Sequence, residues 1–259
     1  MGGAIAVGAL ASGWPASQVT VADKSADALA ALASAHGVAT THDLAEAAAG
    51  ADVIVFAVKP QDGAAALDAF AASVRPGTLL LTVAAGLPAS FYEKRLPAGT
   101  PVVRAMPNTP ALIGKGATAI APGTHATAEH LALAASVLAA TGLVVQVDES
   151  HINAVAALSG SGPAYFFAFV EALTESAVGL GLERDLATKL AAQTFVGAAA
   201  LLDASDVGPG ELRARVSSTG GTTLAALAAM GEAGLQDAVA AGLAAADGRA
   251  KEMAEELAS

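Results

Sequence analysis

Asp52-Val53-Ile54-Val55-Phe56-Ala57-Val58 carries no polar residue after its first position. A strand with one wet face alternates apolar and polar residues. A continuous apolar run suits a strand covered on both faces, as in a parallel sheet wrapped by helices. The flanking sequence repeats this theme. Residues 19–22 read as a strand, 25–35 as an alanine-rich helix ending at Gly37, and 43–49 as a second helix. Residues 61–72 read as a helix, 78–84 as another buried strand, and 102–105 as a further one. Strands at 116–120 and 143–147 flank a helix over 127–141. This alternation predicts βαβ units and a parallel sheet.

Beyond about residue 150 the strand signals stop. Helical patterns run over 163–179, 184–202, 209–216, 222–230 and 232–258, with Pro163 in a first turn and Gly179 and Gly181 at an end. Phe166, Val170, Leu173 and Ala177 fall on one helical face. Core packing explains such a stripe, and so does burial against a partner chain. The two halves are expected to divide as 1–148 and 149–259, joined by a direct run from strand to helix near 148–151.

The chain opens Met1-Gly2-Gly3-Ala4-Ile5-Ala6. A dinucleotide-binding unit begins with a strand and G-x-G-x-x-G leading into a helix. Met1 onward matches only the end of that pattern, so a preceding strand and its first glycines, roughly ten residues, are expected to be missing. A rearranged sheet is the alternative.

The net charge of −11 and pI near 4.7 argue against nucleic acid as a partner. No cysteine is present, which excludes disulfides, thiolate metal sites and cysteine nucleophiles. The five histidines lack ligand spacing, so no metal is expected. Residues 1–14 are apolar but lack the basic start of a signal peptide, and no run is long enough to span a bilayer. These features read as a soluble, cytoplasmic protein with no membrane partner.

Four segments carry chemistry. Ala57-Val58-Lys59-Pro60-Gln61 ends a buried strand, where a doubly wound sheet has its ligand crevice. Val103-Arg104-Ala105-Met106-Pro107-Asn108-Thr109-Pro110 ends another strand, and Ala157-Leu158-Ser159-Gly160-Ser161-Gly162-Pro163-Ala164-Tyr165 opens the helical half. Arg215-Val216-Ser217-Ser218-Thr219-Gly220-Gly221-Thr222-Thr223 sets two glycines among hydroxyls just ahead of a helix. Such a loop offers backbone N–H groups and a helix dipole to a carboxylate or phosphate, or serves as an ordinary helix cap.

Together, in this order, these segments resemble pyrroline-5-carboxylate reductase, from Met1 to about Met230. The resemblance implies an α/β fold: an N-terminal Rossmann-like parallel-sheet domain for NAD(P)H and a C-terminal all-helical dimerisation domain. It implies a homodimer through the helical domain, often assembled further to decamers. The implied reaction is hydride transfer to the C=N carbon of 1-pyrroline-5-carboxylate, giving L-proline, the last step of proline biosynthesis.

Carried over, Thr223 and Ser218 are the catalytic candidates, with Thr223 donating to or orienting the imine nitrogen. Ser218, Gly220, Gly221, Thr222 and Thr223 would hold the carboxylate. Glu149 stands where the family carries an acid near the substrate; a solvated helix-start carboxylate is the other reading. For the cofactor the resemblance implies Met1 and Gly2, then Ala22, Asp23, Lys24 and Ser25, then Ala57, Val58, Lys59 and Pro60 on the adenosine side. Ala84 and Ala85 would pass close to the nicotinamide, with Asn108 at that end, unless it is a plain turn residue. The family often has Asn-Arg-Ser where this chain has Asp23-Lys24-Ser25, and an Asn where it has Leu44. Lys24 and Ser25 favour NADPH, whereas Asp23 suits NADH. Alternatives are a related imine reductase, a β-hydroxyacid-dehydrogenase-like enzyme, or a non-catalytic truncated paralogue. The hydroxyacid enzymes use a lysine on a long helix, and Lys189 lacks the surrounding Gly/Asn pattern.

Overall fold

The computed structural model describes residues 1–258. Its contacts divide the chain into two units, residues 1–163 with the segment from 245 onward, and residues 164–244. Among the described residues no helix is long and apolar enough to cross a membrane.

The first unit runs α1 (Gly2–Ala11), β1 (Thr20–Ala22), α2 (Ala26–His36), β2 (Ala39–Thr41), α3 (Leu44–Ala49), β3 (Val53–Phe56), α4 (Gly63–Phe70) and β4 (Leu79–Thr82). It continues through α5 (Ala89–Glu93), β5 (Val102–Met106), β6 (Gly116–Pro122), α6 (Ala128–Leu138), β7 (Gly142–Gln146) and α7 (Ile152–Val155). Local chemistry sets several boundaries. The Ser25 hydroxyl caps α2 by accepting from the Ala28 N–H, and Gly37 ends it in the left-handed region. The Asp43 carboxylate accepts from the Ala45 and Glu46 N–H groups at the start of α3.

The expected double cover of the sheet is visible residue by residue. Leu79, Leu81, Val103 and Ala105 face a core with Ile5 of α1 and Leu131, Ala134, Val137 and Leu138 of α6. Their neighbours Leu80 and Val102 face the opposite core with Phe56, Leu67, Phe70, Phe91 and Tyr92. Alternation along one strand thus feeds two apolar layers.

Two features differ from the sequence expectation. The sheet is not wholly parallel: β3, β4 and β5 pair in parallel, but β6 runs antiparallel to β5, and β7 is parallel to β6. The β5–β6 link holds only a short 3-10 turn, Thr109–Ile113, too little chain for the crossover that parallel pairing needs. The strand β2 was not expected, because three residues carry no periodic signal. It pairs in parallel with β1 in a ladder separate from the β3–β7 sheet.

The second unit contains most of α8 (Gly162–Gly179), α9 (Arg184–Asp203), α10 (Pro209–Arg215), α11 (Thr222–Glu232) and the first part of α12 (Leu235–Ala258). Phe195 meets Phe166 and Phe169 edge-on, with centroids 5.1 and 5.7 Å apart, joining α8 to α9. Packing within one chain covers the α8 stripe only in part. Phe166 stays exposed and Val170, Leu173 and Ala177 are only half-buried. The helices over 149–163 cluster with the sheet because Ile152 and Val155 pack on Ala119, Ala121 and Val147.

Candidate functional site

Parallel strands end with their loops on one side, and in the first unit the loops after β1 and β3 meet there. Lys24 Nζ lies 3.6 Å from Asp62 Oδ2. A side chain on Gly2 would come within 3.0 Å of the Ala57 Cβ, so the start of α1 sits directly against the end of β3, and a larger residue there would need Ala57 to give way. No side chain caps α1, and no acid stands in its first turn. Its first N–H groups and positive dipole end are therefore available to an anion. Asp23 Oδ1 accepts from the Ser25 N–H at 2.8 Å. Val58 and Pro60 are half-buried, while Ala57 and Lys59 are exposed. Met1 and Gly2 thus stand against the end of β3 at Ala57, and the loop of Ala22, Asp23, Lys24 and Ser25 meets the loop of Val58, Lys59 and Pro60 through the pairing of Lys24 with Asp62.

The ends of β4 and β5 carry a buried polar set. Thr82 donates to the Tyr92 hydroxyl at 2.8 Å and accepts from the Ala84 N–H at 3.3 Å. Burial pushes the Tyr92 phenol up to about 12, against the Thr82 hydrogen bond and the Arg104 charge, which pull it down. Arg104 lies beside Thr82 in register and donates to Glu149 Oε1 at 2.7 Å. The same oxygen accepts from the Ala89 N–H at 3.0 Å. Glu149 Oε2 is buried without a hydrogen-bond partner among the described residues. Glu149 is therefore no freely solvated helix-start carboxylate. It ties the loop after β4, with buried Ala84 and half-buried Ala85, to β5 and to the chain leaving β7.

Asn108 spends both ends of its amide on the protein. Nδ2 donates to the Ser159 carbonyl at 3.0 Å, and Oδ1 accepts from the Ala117 N–H at 2.9 Å. Ser159 lies in a π-helical stretch, Ala156–Gly160. π-helical turns are uncommon and concentrate at functional sites. A Cβ at Gly160 would sit 2.7 Å from the Met106 Cε, the flexible end of a side chain that can swing aside.

In the second unit, Gly220 adopts a φ of 73°, and the Gly221 N–H donates to the Ser218 carbonyl at 2.9 Å. Gly221 is the N-cap of α11, and no side-chain cap or acidic residue occupies that end. An ordinary hydroxyl cap is thus not what these residues form. Ser218, Gly220 and Thr222 are exposed, while Gly221 and Thr223 are half-buried. The turn presents backbone N–H groups and hydroxyls together at the start of α11.

Three further residues join these hydrogen-bond networks. Arg104 announces itself as the one charge inside an apolar strand. Tyr92 and His42 carried no signal, because their partners come from other elements.

The family profile described as pyrroline-5-carboxylate reductase dimerisation matches residues 149–253. A profile described as NADP oxidoreductase, coenzyme F420-dependent, matches residues 1–86. A pyrroline-5-carboxylate reductase of Pseudomonas aeruginosa is 41% identical over 251 residues, covering 96% of this chain and 92% of that one. The structure of a pyrroline-5-carboxylate reductase from Coxiella burnetii superposes with a TM-score of 0.92 at 37% identity, over 96% of this chain and 93% of that one. A Plasmodium falciparum pyrroline carboxylate reductase with NADP bound has a TM-score of 0.85 at 25% identity, over 98% and 94% of the two chains.

Proposed function

The chain belongs to the pyrroline-5-carboxylate reductase family, and from that premise we propose that it reduces 1-pyrroline-5-carboxylate to L-proline with NAD(P)H. The cofactor, when bound, supplies a hydride to the imine carbon, and a proton goes to the nitrogen. The chain's own work is to bind, orient and exclude water.

The uncapped turn at 216–223 is the observation that carries the reading. Backbone donors at Gly220 and Thr222, with the Ser218 hydroxyl, hold the substrate carboxylate, while the Gly221 N–H closes the turn on the Ser218 carbonyl. Thr223 orients the imine nitrogen by a hydrogen bond. A threonine hydroxyl is a poor acid, so the proton arrives with the substrate as iminium or through Thr223 from water. Glu149 acts by positioning the loop of Ala84 and Ala85, which lets the nicotinamide approach, and Asn108 fixes the neighbouring loop to the π-helical stretch.

The residues of the first crevice fit a dinucleotide. The bare N-terminus of α1 beside Gly2 suits the pyrophosphate, and Val58, Lys59 and Pro60 flank the adenosine ribose. Lys24 and Ser25 favour NADPH. Residues 1–148 form the cofactor domain and 149–259 the helical substrate and dimerisation domain, which pairs as a homodimer and assembles further to a decamer. The enzyme works in the cytoplasm, where the NAD(P)H pool supports biosynthesis.

Thr223→Ala tests this assignment. We expect kcat/KM for the imine to fall about a hundredfold while the affinity for NADP+ stays unchanged. Collapse of cofactor binding would move the turn out of the substrate site.

A further inference from the structure

The charges at the ends of β1 and β2 include a group that the assignment above leaves unused. The two strands run parallel with Ala22 opposite Thr41, so Asp23 and His42 leave the sheet side by side. His42 Nδ1 lies 2.8 Å from the Asp23 carbonyl oxygen. A carbonyl only accepts, so Nδ1 carries the proton and donates. That bond orients the ring and leaves Nε2 as the atom available to a ligand. His42 is exposed, so a ligand can reach it.

In a doubly wound fold, the residue about twenty positions beyond the last glycine of the phosphate loop meets the 2′ position of the adenosine ribose. Asp23 holds that place relative to Gly3. Its Oδ1 is already committed to the Ser25 N–H. Lys24, the neighbouring cation, is paired with Asp62 at 3.6 Å, and the two side chains are 90% and 49% exposed. Such an open pair is weak and easily exchanged.

We propose that His42 reads the 2′ substituent of the cofactor's adenosine ribose, and that Asp62 is the counter-ion which Lys24 leaves to meet a 2′-phosphate. This rests on the assignment of the first crevice to the dinucleotide. Neutral His42 offers a lone pair at Nε2 to the 2′-hydroxyl of NADH. Protonated His42 offers an N–H to the 2′-phosphate of NADPH, a charge-assisted bond. One side chain therefore serves both cofactors, and the phosphate gains the larger benefit because Lys24 joins it.

The test is isothermal titration of the full chain with NADP+ and with NAD+, for the wild type, His42→Gln and Asp62→Asn. Glutamine keeps a donor for the Asp23 carbonyl but never carries a positive charge. We expect His42→Gln to weaken NADP+ about tenfold and NAD+ less than about twofold. Asp62→Asn should tighten NADP+ about threefold and leave NAD+ unchanged. Equal losses for both ligands in His42→Gln, with an unchanged melting temperature, would overturn the proposal. So would unchanged binding of both in His42→Gln. If the wild type bound neither ligand, the crevice assignment itself would fall, an outcome distinct from failure of His42 alone.

Discussion

Glu149 is held by two donors on one oxygen and by none on the other. Removing its cation leaves a carboxylate confined between strands. Breaking a fully buried pair costs about 3–5 kcal/mol. The Glu149 side chain is 34% exposed and that of Arg104 7%, so part of the penalty is relieved by water. Arg104→Ala should therefore lower stability by about 2–3 kcal/mol in urea denaturation. A loss below about 0.5 kcal/mol, the scale of an ordinary surface substitution, would show the pair to be incidental. Tyr92 makes a second prediction. Its phenol holds its proton to about 12 in the fold, above the ordinary value of 10.0. A group whose pKa is raised by folding contributes stability that is intact below pH 10 and is lost as pH climbs through 12. Wild-type protein should lose about 2–3 kcal/mol more than Tyr92→Phe over that interval; parallel pH curves would refute the burial argument. Of these residues, Arg104 was readable as a lone charge in an apolar run. Tyr92 and His42 were not. A hydrogen bond across 10 or 19 residues of chain leaves no local pattern.

The turn before α11 depends on a backbone state that glycine adopts at least cost. Gly220 has a φ of 73°, with open space around its missing side chain. Gly220→Ala should thus cost about 1–2 kcal/mol by strain alone, without a clash. It should raise KM for the imine several-fold, because the donors of the following helix lose their aim. Unchanged KM would mean that the turn does not set the carboxylate site. Elements of this kind, with a cap or a glycine at their ends, were legible: Ser25, Asp43 and Gly37 mark the observed boundaries of α2 and α3. The strands covered on both faces were legible for the same reason, since continuous apolar runs have few other uses. What the sequence does not show is short or relational. The strand β2 spans three residues, and the antiparallel direction of β6 is a property of its pairing with β5, not of its own sequence.

At the scale of the whole chain, the second unit leaves much apolar surface uncovered. Phe167, Leu190, Val196 and Leu201 are 59%, 53%, 60% and 55% exposed. A lone chain gains nothing by exposing them, and their spread along α8 and α9 suits a helical face against a second copy. Light scattering after size exclusion should return a dimer or a multiple of it at micromolar concentration, and Leu190→Glu should shift it toward monomer. A monomer throughout would contradict the dimerisation reading. The most direct test of the reaction follows absorbance at 340 nm when NADPH or NADH is mixed with 1-pyrroline-5-carboxylate and the protein, with proline measured at the end. Loss of absorbance matched by proline, faster with NADPH, is the predicted result. Cofactor that binds but is not oxidised, with no proline formed, would rule out imine reduction by this protein.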